Sequence, residues 1–253
     1  MKRTAQDAQL VKAVTAKNAR DIEALKRNQP EVKSFDVLAK DGVSTVHLGH
    51  SIPNTLDYIP LNLIANGTGS WQRSGRKITL KSVYVTGFFG VAADSVQLYG
   101  NYVRIMIVYD KQPKGSLPAQ TDLLQASVGA NGIATEPSRA TDGLNMAYKD
   151  RWEIIADERM MLNPYDATIA TGIKAEIQQG YNFEIFRKLK YRESMYGGTT
   201  QDVASVSTGM LYLVIIGQRA AYDNSGGSTQ GQQVAYPINH FYEFTARVRY
   251  TDA

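Results

Sequence analysis

The sequence predicts an all-β protein, a single eight-stranded jelly roll of two packed antiparallel sheets, preceded by a basic N-terminal arm that is mobile or partly helical. Three observations predict it. From Val43 onward apolar and polar residues alternate in short runs rich in β-branched and aromatic side chains. The runs are joined by Gly-, Pro- and Ser-rich connections, some too long for hairpins, as a jelly roll requires where chain crosses the ends of its sheets. The first 28 residues differ in composition from everything after them.

The arm is taken as residues 1–33 and the jelly-roll domain as residues 34–253. Seven basic side chains (Lys2, Arg3, Lys12, Lys17, Arg20, Lys26, Arg27) face three acidic ones (Asp7, Asp21, Glu23) in residues 1–28. That surplus of four equals the balance of the whole chain, 28 basic against 24 acidic, so the other 225 residues are formally neutral. A basic terminal arm attaches a folded body to phosphate backbones by releasing condensed counterions. This one is dilute, and reads equally as a solvated tail with scattered charge. From Thr4 to Asn28 there is no Gly or Pro, which permits helix. Asn18 and Asp21 interrupt the stripe of Val11, Val14, Ile22 and Leu25, so a coiled coil is not supported.

The body follows strand by strand. Val43 to Gly49 alternates weakly. Ile78 and Leu80 share one parity while Val83 and Val85 take the other, which predicts a bulge near Lys81 and Ser82, because one extra residue flips every later side chain. Val103, Ile105, Ile107 and Tyr109 form an inward row with Arg104 outward. Trp152 to Asp157 is a strand. Another runs from Tyr181 through Ile185, Leu189 and Tyr191, with Lys188, Lys190 and Arg192 on its other side. Met210 to Ile216 is apolar at every position and must be covered on both faces. His240 to Tyr250 alternates most cleanly, with Tyr242, Phe244, Ala246, Val248 and Tyr250 on one face and Glu243, Thr245, Arg247 and Arg249 on the other. Between Lys111 and Tyr148 the chain is too long for a hairpin, and Thr121 to Gln125 reads as a helical turn.

Chain length and composition also bound the chemistry. With 253 residues, 43% of them hydrophobic and 21% charged, the chain can bury a core without metal or crosslinks. The absence of cysteine removes disulfides, thiolate metal sites and cysteine nucleophiles. The longest apolar run has seven residues where a membrane helix needs about 20, and no apolar segment follows Lys2 and Arg3, so neither an anchor nor a signal peptide is expected. His47 and His50 fall on opposite strand faces and no phosphate loop, dinucleotide fingerprint or nucleophile elbow occurs, so no catalytic residue, metal or cofactor is assigned. What remains is an aromatic-rich body with 15 Tyr, 7 Phe and 2 Trp, together with basic runs at Arg73, Arg76, Lys77 and Lys81, at Lys188, Lys190 and Arg192, and at Arg247 and Arg249. Each basic run is either a phosphate-contacting edge or a solvated face.

Several segments carry a resemblance. The run from Ser74 to Val83, that from Arg104 to Gly115 with Asp122 to Leu124 behind it, that from Tyr148 to Asp157, and Arg247 to Tyr250 resemble, in the same order, the capsid proteins of small circular single-stranded DNA viruses that encode a replication initiator. They are similar also to capsid proteins of satellite tobacco necrosis-type particles. The resemblance implies a homo-oligomeric icosahedral shell, commonly of sixty copies, around a genome bound without regard to sequence. It also implies a place in the virion and assembly inside the host cell, with the nucleus as one compartment. Nucleic-acid contacts are then expected from Lys2, Arg3, Lys12, Lys17, Arg20, Lys26, Arg27, Arg73, Arg76, Lys77 and Lys81. Many relatives carry a dense arginine-rich arm, which this chain lacks. The alternative is a non-viral jelly-roll module binding carbohydrate or another ligand, with Trp71 and Trp152 as stacking platforms.

Overall fold

The computed structural model describes residues 11–21, 31–39, 50–51, 56–91, 101–125, 140–162, 180–219 and 240–252. Residues 11–21 are helical and exposed throughout. Ten strands follow: β1 (Val32–Ala39), β2 (His50–Ser51), β3 (Asp57–Pro60), β4 (Lys77–Val91), β5 (Asn101–Asp110), β6 (Trp152–Leu162), β7 (Gly180–Tyr196), β8 (Val206–Thr208), β9 (Met210–Arg219) and β10 (His240–Asp252). Val43 to Gly49 lies outside the described residues.

One sheet runs β1-β10-β4-β7-β8, with β2 also on β10, and the other runs β3-β9-β5-β6. All pairings between these strands are antiparallel. Two of the ten strands, β2 and β8, have only two and three residues. The remaining eight, numbered along the chain, lie in the orders first-eighth-third-sixth and second-seventh-fourth-fifth. Consecutive strands therefore alternate between sheets except where the fourth meets the fifth, which makes the two-sheet jelly roll read from the sequence.

Alternation builds the core. Tyr242, Phe244, Ala246, Val248 and Tyr250 of β10 are buried, as are Val103, Ile105, Ile107 and Tyr109 of β5. The expected bulge is present: β4 and β7 change register between Leu80 and Ser82, and β4 and β10 between Arg249 and Tyr250. It brings Ile78, Leu80, Val83 and Val85 all into the core. Opposite it, Lys190 of β7 takes a positive φ of 45°, and the parity of β7 flips from buried Phe183, Ile185 and Leu189 to buried Ser194 and Tyr196. Arg192 is consequently not on the side of Lys188. Its Nε donates to Glu153 Oε2 of β6 at 2.8 Å and ties the two sheets along their open edge. Arg187 makes a parallel bond to Glu158 at 3.1 Å.

Met210 to Ile216 is wholly buried because the four-stranded sheet is covered on both faces. Its inner row meets the other sheet. Its outer row (Val108, Met106, Tyr212, Val214, Ile216) is overlaid by the connection between β5 and β6, which supplies Leu123, Leu124 and Ala140 as core residues. A single helical turn, Gln120–Leu123, carries part of this cover. Polar bonds pin it. Tyr58 donates its hydroxyl to Ala119 O, Trp152 Nε1 donates to Asp122 O at 2.8 Å, and Arg151 bonds Asp110 through Nε (2.9 Å) and Nη2 (2.7 Å) and Asp122 through Nη1 (2.9 Å). Arg104, expected outward, does point to this outer face but is 1% exposed. Its guanidinium bonds Asp157 twice, at 2.8 and 2.7 Å, and donates to the carbonyls of Ala140 and Asp142. The covering connection turned a solvent face into an interior.

Candidate nucleic-acid interface

The six-stranded sheet has no such cover among the described residues, which leave its outer face bare. Register aligns the side chains there in rows across β1, β10, β4 and β7. One row is Leu38, Thr245, Thr86 and Glu184; the next is Asp36, Arg247, Tyr84 and Phe186; the next is Ser34, Arg249, Ser82 and Lys188. The face is therefore polarised. Glu184 and Glu243 lie toward one end, whereas Arg249, Lys188 and Lys190 lie toward the other, all exposed. In the middle row Arg247 forks onto Asp36 with two bonds of 2.7 Å. That fork holds the Asp36 carboxyl below its ordinary value and raises Arg247 in return.

The basic end is also where the arm joins. Val32, the first residue of β1, pairs with Thr251 two residues beyond Arg249, so the chain enters the sheet beside its cationic row, two residues before the arm boundary drawn from the sequence. In the arm, Lys12, Lys17 and Arg20 project from the exposed helix over residues 11–21. Lys2, Arg3, Lys26 and Arg27 lie outside the described residues.

The second basic run is divided by the structure. Arg76 is exposed just before β4. Lys77 pairs with Glu193 across β7 at 2.7 Å, both half exposed, and Lys81 sits at the bulge. Arg73 is a correction. It is fully buried; its Nε donates to Ile64 O at 2.9 Å, its two other nitrogens donate to Gly75 O and Gly198 O, and its guanidinium stacks 4.1 Å from the Tyr196 ring centroid. A cation enclosed by three carbonyls and an aromatic face locks the loop before β4 onto the β7–β8 turn, and its burial keeps it from a phosphate. Asn62 completes this lock, donating to Ser194 Oγ and Gly209 O and accepting from Leu211 N, each at 2.9 Å.

Of the two tryptophans, Trp71 is 44% exposed and Trp152 is 7% exposed. Trp152 lies beneath Arg151, 4.6 Å from ring centroid to guanidinium carbon, and beside Tyr58, so it is a core residue and no stacking platform. Among the described residues no group of three or more His, Asp or Glu side chains could hold a metal ion, and no helix is long and apolar enough to cross a membrane. His47 lies outside the described residues. Tyr84 and Phe186, directly paired on the bare face and 36% and 51% exposed, were not singled out from the sequence. The available signal was their parity: an aromatic on the polar side of a strand whose other face is apolar.

The described residues form a jelly roll with one face sealed by the β5–β6 connection and the other left uncovered and partly basic, a fold that viral capsid proteins share with lectins and cupins. The comparisons give the family: residues 2–225 match the geminivirus coat protein/nuclear export factor BR1 family, and the chain belongs to it. It is a viral capsid protein, a structural component of the virion. Among curated proteins nothing matches. Among solved structures, a chain of Desmodium yellow mottle tymovirus is similar at 10% identity and a TM-score of 0.28, with 89% of each chain covered.

Proposed function

We propose that this coat protein closes into an icosahedral shell of sixty copies around circular single-stranded DNA, and that Lys2, Arg3, Lys12, Lys17, Arg20, Lys26 and Arg27 hold the genome through its phosphates without regard to sequence. The observation that carries this is the charge asymmetry: the entire net charge of the chain resides in residues 1–28, ahead of a neutral body. Rigid sheets with long connections supply the self-complementary surfaces that closed symmetry needs. Packaging requires phosphate neutralisation and no base-reading element. The role is structural, with no catalytic step. The family's joint description with a nuclear export factor supports assembly in the host nucleus.

Negative-stain imaging and light scattering of the purified protein test the shell; closed particles of roughly 1.7 MDa, sixty chains of 27.9 kDa, are expected, and a protein monomeric across salt and pH ends the proposal. Removal of residues 1–28 tests the arm. Particles of the shortened chain should show a lower ratio of absorbance at 260 to 280 nm, and an unchanged ratio refutes the arm's role.

A further inference from the structure

We infer that the bare face of the six-stranded sheet is a second polynucleotide contact that recognises single strands, with Tyr84 and Phe186 as the pair on which bases stack. The inference rests on the coat-protein reading and adds to it a site outside the arm.

The argument begins with what an exposed aromatic pair costs. On every strand of this sheet the inner parity takes the large apolar side chains, and the outer parity is otherwise mostly Ser, Thr, Asn and charged residues. Besides Val32 and Leu38 of β1 and Phe88 of β4, Tyr84 and Phe186 break that pattern as a directly paired aromatic couple midway along β4 and β7, where β7 is the last strand of the sheet because β8 joins it only at Met195 and Tyr196. Two rings facing water forgo burial that a core position would give them. An apolar side chain kept there is explained by an occupant.

Charge identifies the occupant. Lys188 is two residues beyond Phe186 on the same face and Arg249 completes the adjoining row, while Arg247 beside Tyr84 is already held by Asp36. Arg249 and Lys188 have no ion-pair partner among the described residues. β1 begins beside this row, with Val32 on Thr251, so the basic arm precedes the face in sequence at its cationic end. Aromatic rings bordered by a basic track are the arrangement that binds single strands: the track follows the phosphates and the rings accept any base through its π face. A duplex has its bases stacked internally and offers only phosphates, so it can use the basic row but not the rings. The face thus supplies strand selectivity, which scattered charge on the arm cannot.

The test uses the full-length chain, a labelled thymidine homopolymer and a labelled duplex of equal length, with binding read by fluorescence anisotropy at one stated salt concentration. The double variant Tyr84→Leu/Phe186→Leu keeps apolar bulk and removes both π faces. Its affinity for the homopolymer should fall roughly tenfold or more, while its affinity for duplex stays within about twofold. Tyr84→Phe/Phe186→Tyr should bind like the parent. Phe186→Trp adds a spectroscopic readout: relative to the parent, its extra emission should be quenched by the homopolymer and not by duplex. Equal losses on both probes, or no loss on either, overturn the inference. So does a change in the added tryptophan emission on assembly without nucleic acid, which would place this face between copies of the chain. Light scattering of the parent in the same preparation checks shell formation separately, so failure of the coat reading is distinguished from failure of the stacking pair.

Discussion

Replacing Asp110 by Ala tests whether the cover over the four-stranded sheet is held by its buried ions. Asp110 is fully buried at the end of β5. It accepts from Arg151 Nε at 2.9 Å, Arg151 Nη2 at 2.7 Å and the backbone N–H of Gln112 at 2.9 Å. Arg151 is itself buried, and after the change it keeps only the 2.9 Å bond to Asp122. Removing one partner of a buried ion pair costs about 3–5 kcal/mol, chiefly because the other charge is left uncompensated. The surviving bond to Asp122 puts the expected loss at the lower end, about 3 kcal/mol. For a chain of this size each kcal/mol lowers the melting temperature by about 2–4 °C, so a fall of roughly 6–12 °C is expected. Thermal unfolding of unassembled protein, followed by tryptophan emission, measures it, and urea unfolding gives the loss in kcal/mol. Asp110→Leu combined with Arg151→Met should recover much of the loss, since an apolar pair of similar volume carries no desolvation penalty. A single-variant cost below about 1 kcal/mol, or a double variant worse than the sum of its parts, would show that the ions do not pin the cover.

Two further outcomes follow from geometry already described. Acid should weaken the fold through Asp157 and Glu153, whose carboxyls are held below their ordinary values of 3.8 and 4.5 by hydrogen bonds from Arg104 and Arg192. A lowered folded pKa gives stability that is complete above the ordinary value and disappears as pH falls through the lowered one. Unfolding measured from pH 6 to pH 2 should therefore steepen below about pH 4.5, and Asp157→Asn should flatten that limb; an unaltered acid limb counts against the Arg104 pair. Gly209→Ala should destabilise by more than about 1 kcal/mol from its positive φ alone. The added Cβ would also lie 2.1 Å from Glu193 O. Gly143→Ala, which meets nothing within 4 Å, serves as the control, and equal melting of the two variants would remove the argument.

What the sequence made legible was whatever depends on near neighbours. The parity switch between Leu80 and Val83 revealed the bulge, and the unbroken run from Met210 to Ile216 announced a strand covered on both sides, because each signal is complete within one strand. Arg104 points outward as its parity predicts, but its burial was not legible, because the carbonyls of Ala140 and Asp142 are brought over it by a connection whose course no periodicity records. Arg73 failed for the same reason: Gly198, more than a hundred residues away, closes its cage. A basic residue in a basic run looks like a surface cation until the carbonyls that enclose it are known. The arrangement of Tyr84 beside Phe186 needed the register of β4 on β7, which a single sequence leaves open.

The β5–β6 connection acts as a third layer, and this sets what evolution and engineering can do with it. Its stretch from Lys111 to Leu117 is largely exposed, whereas Leu123 and Leu124 are interior. Insertions belong in the first part. In the second, even a one-residue change of length would draw anchors out of their seats, so relatives that diverge in this segment should still preserve the spacing between Ala119, Asp122 and those leucines.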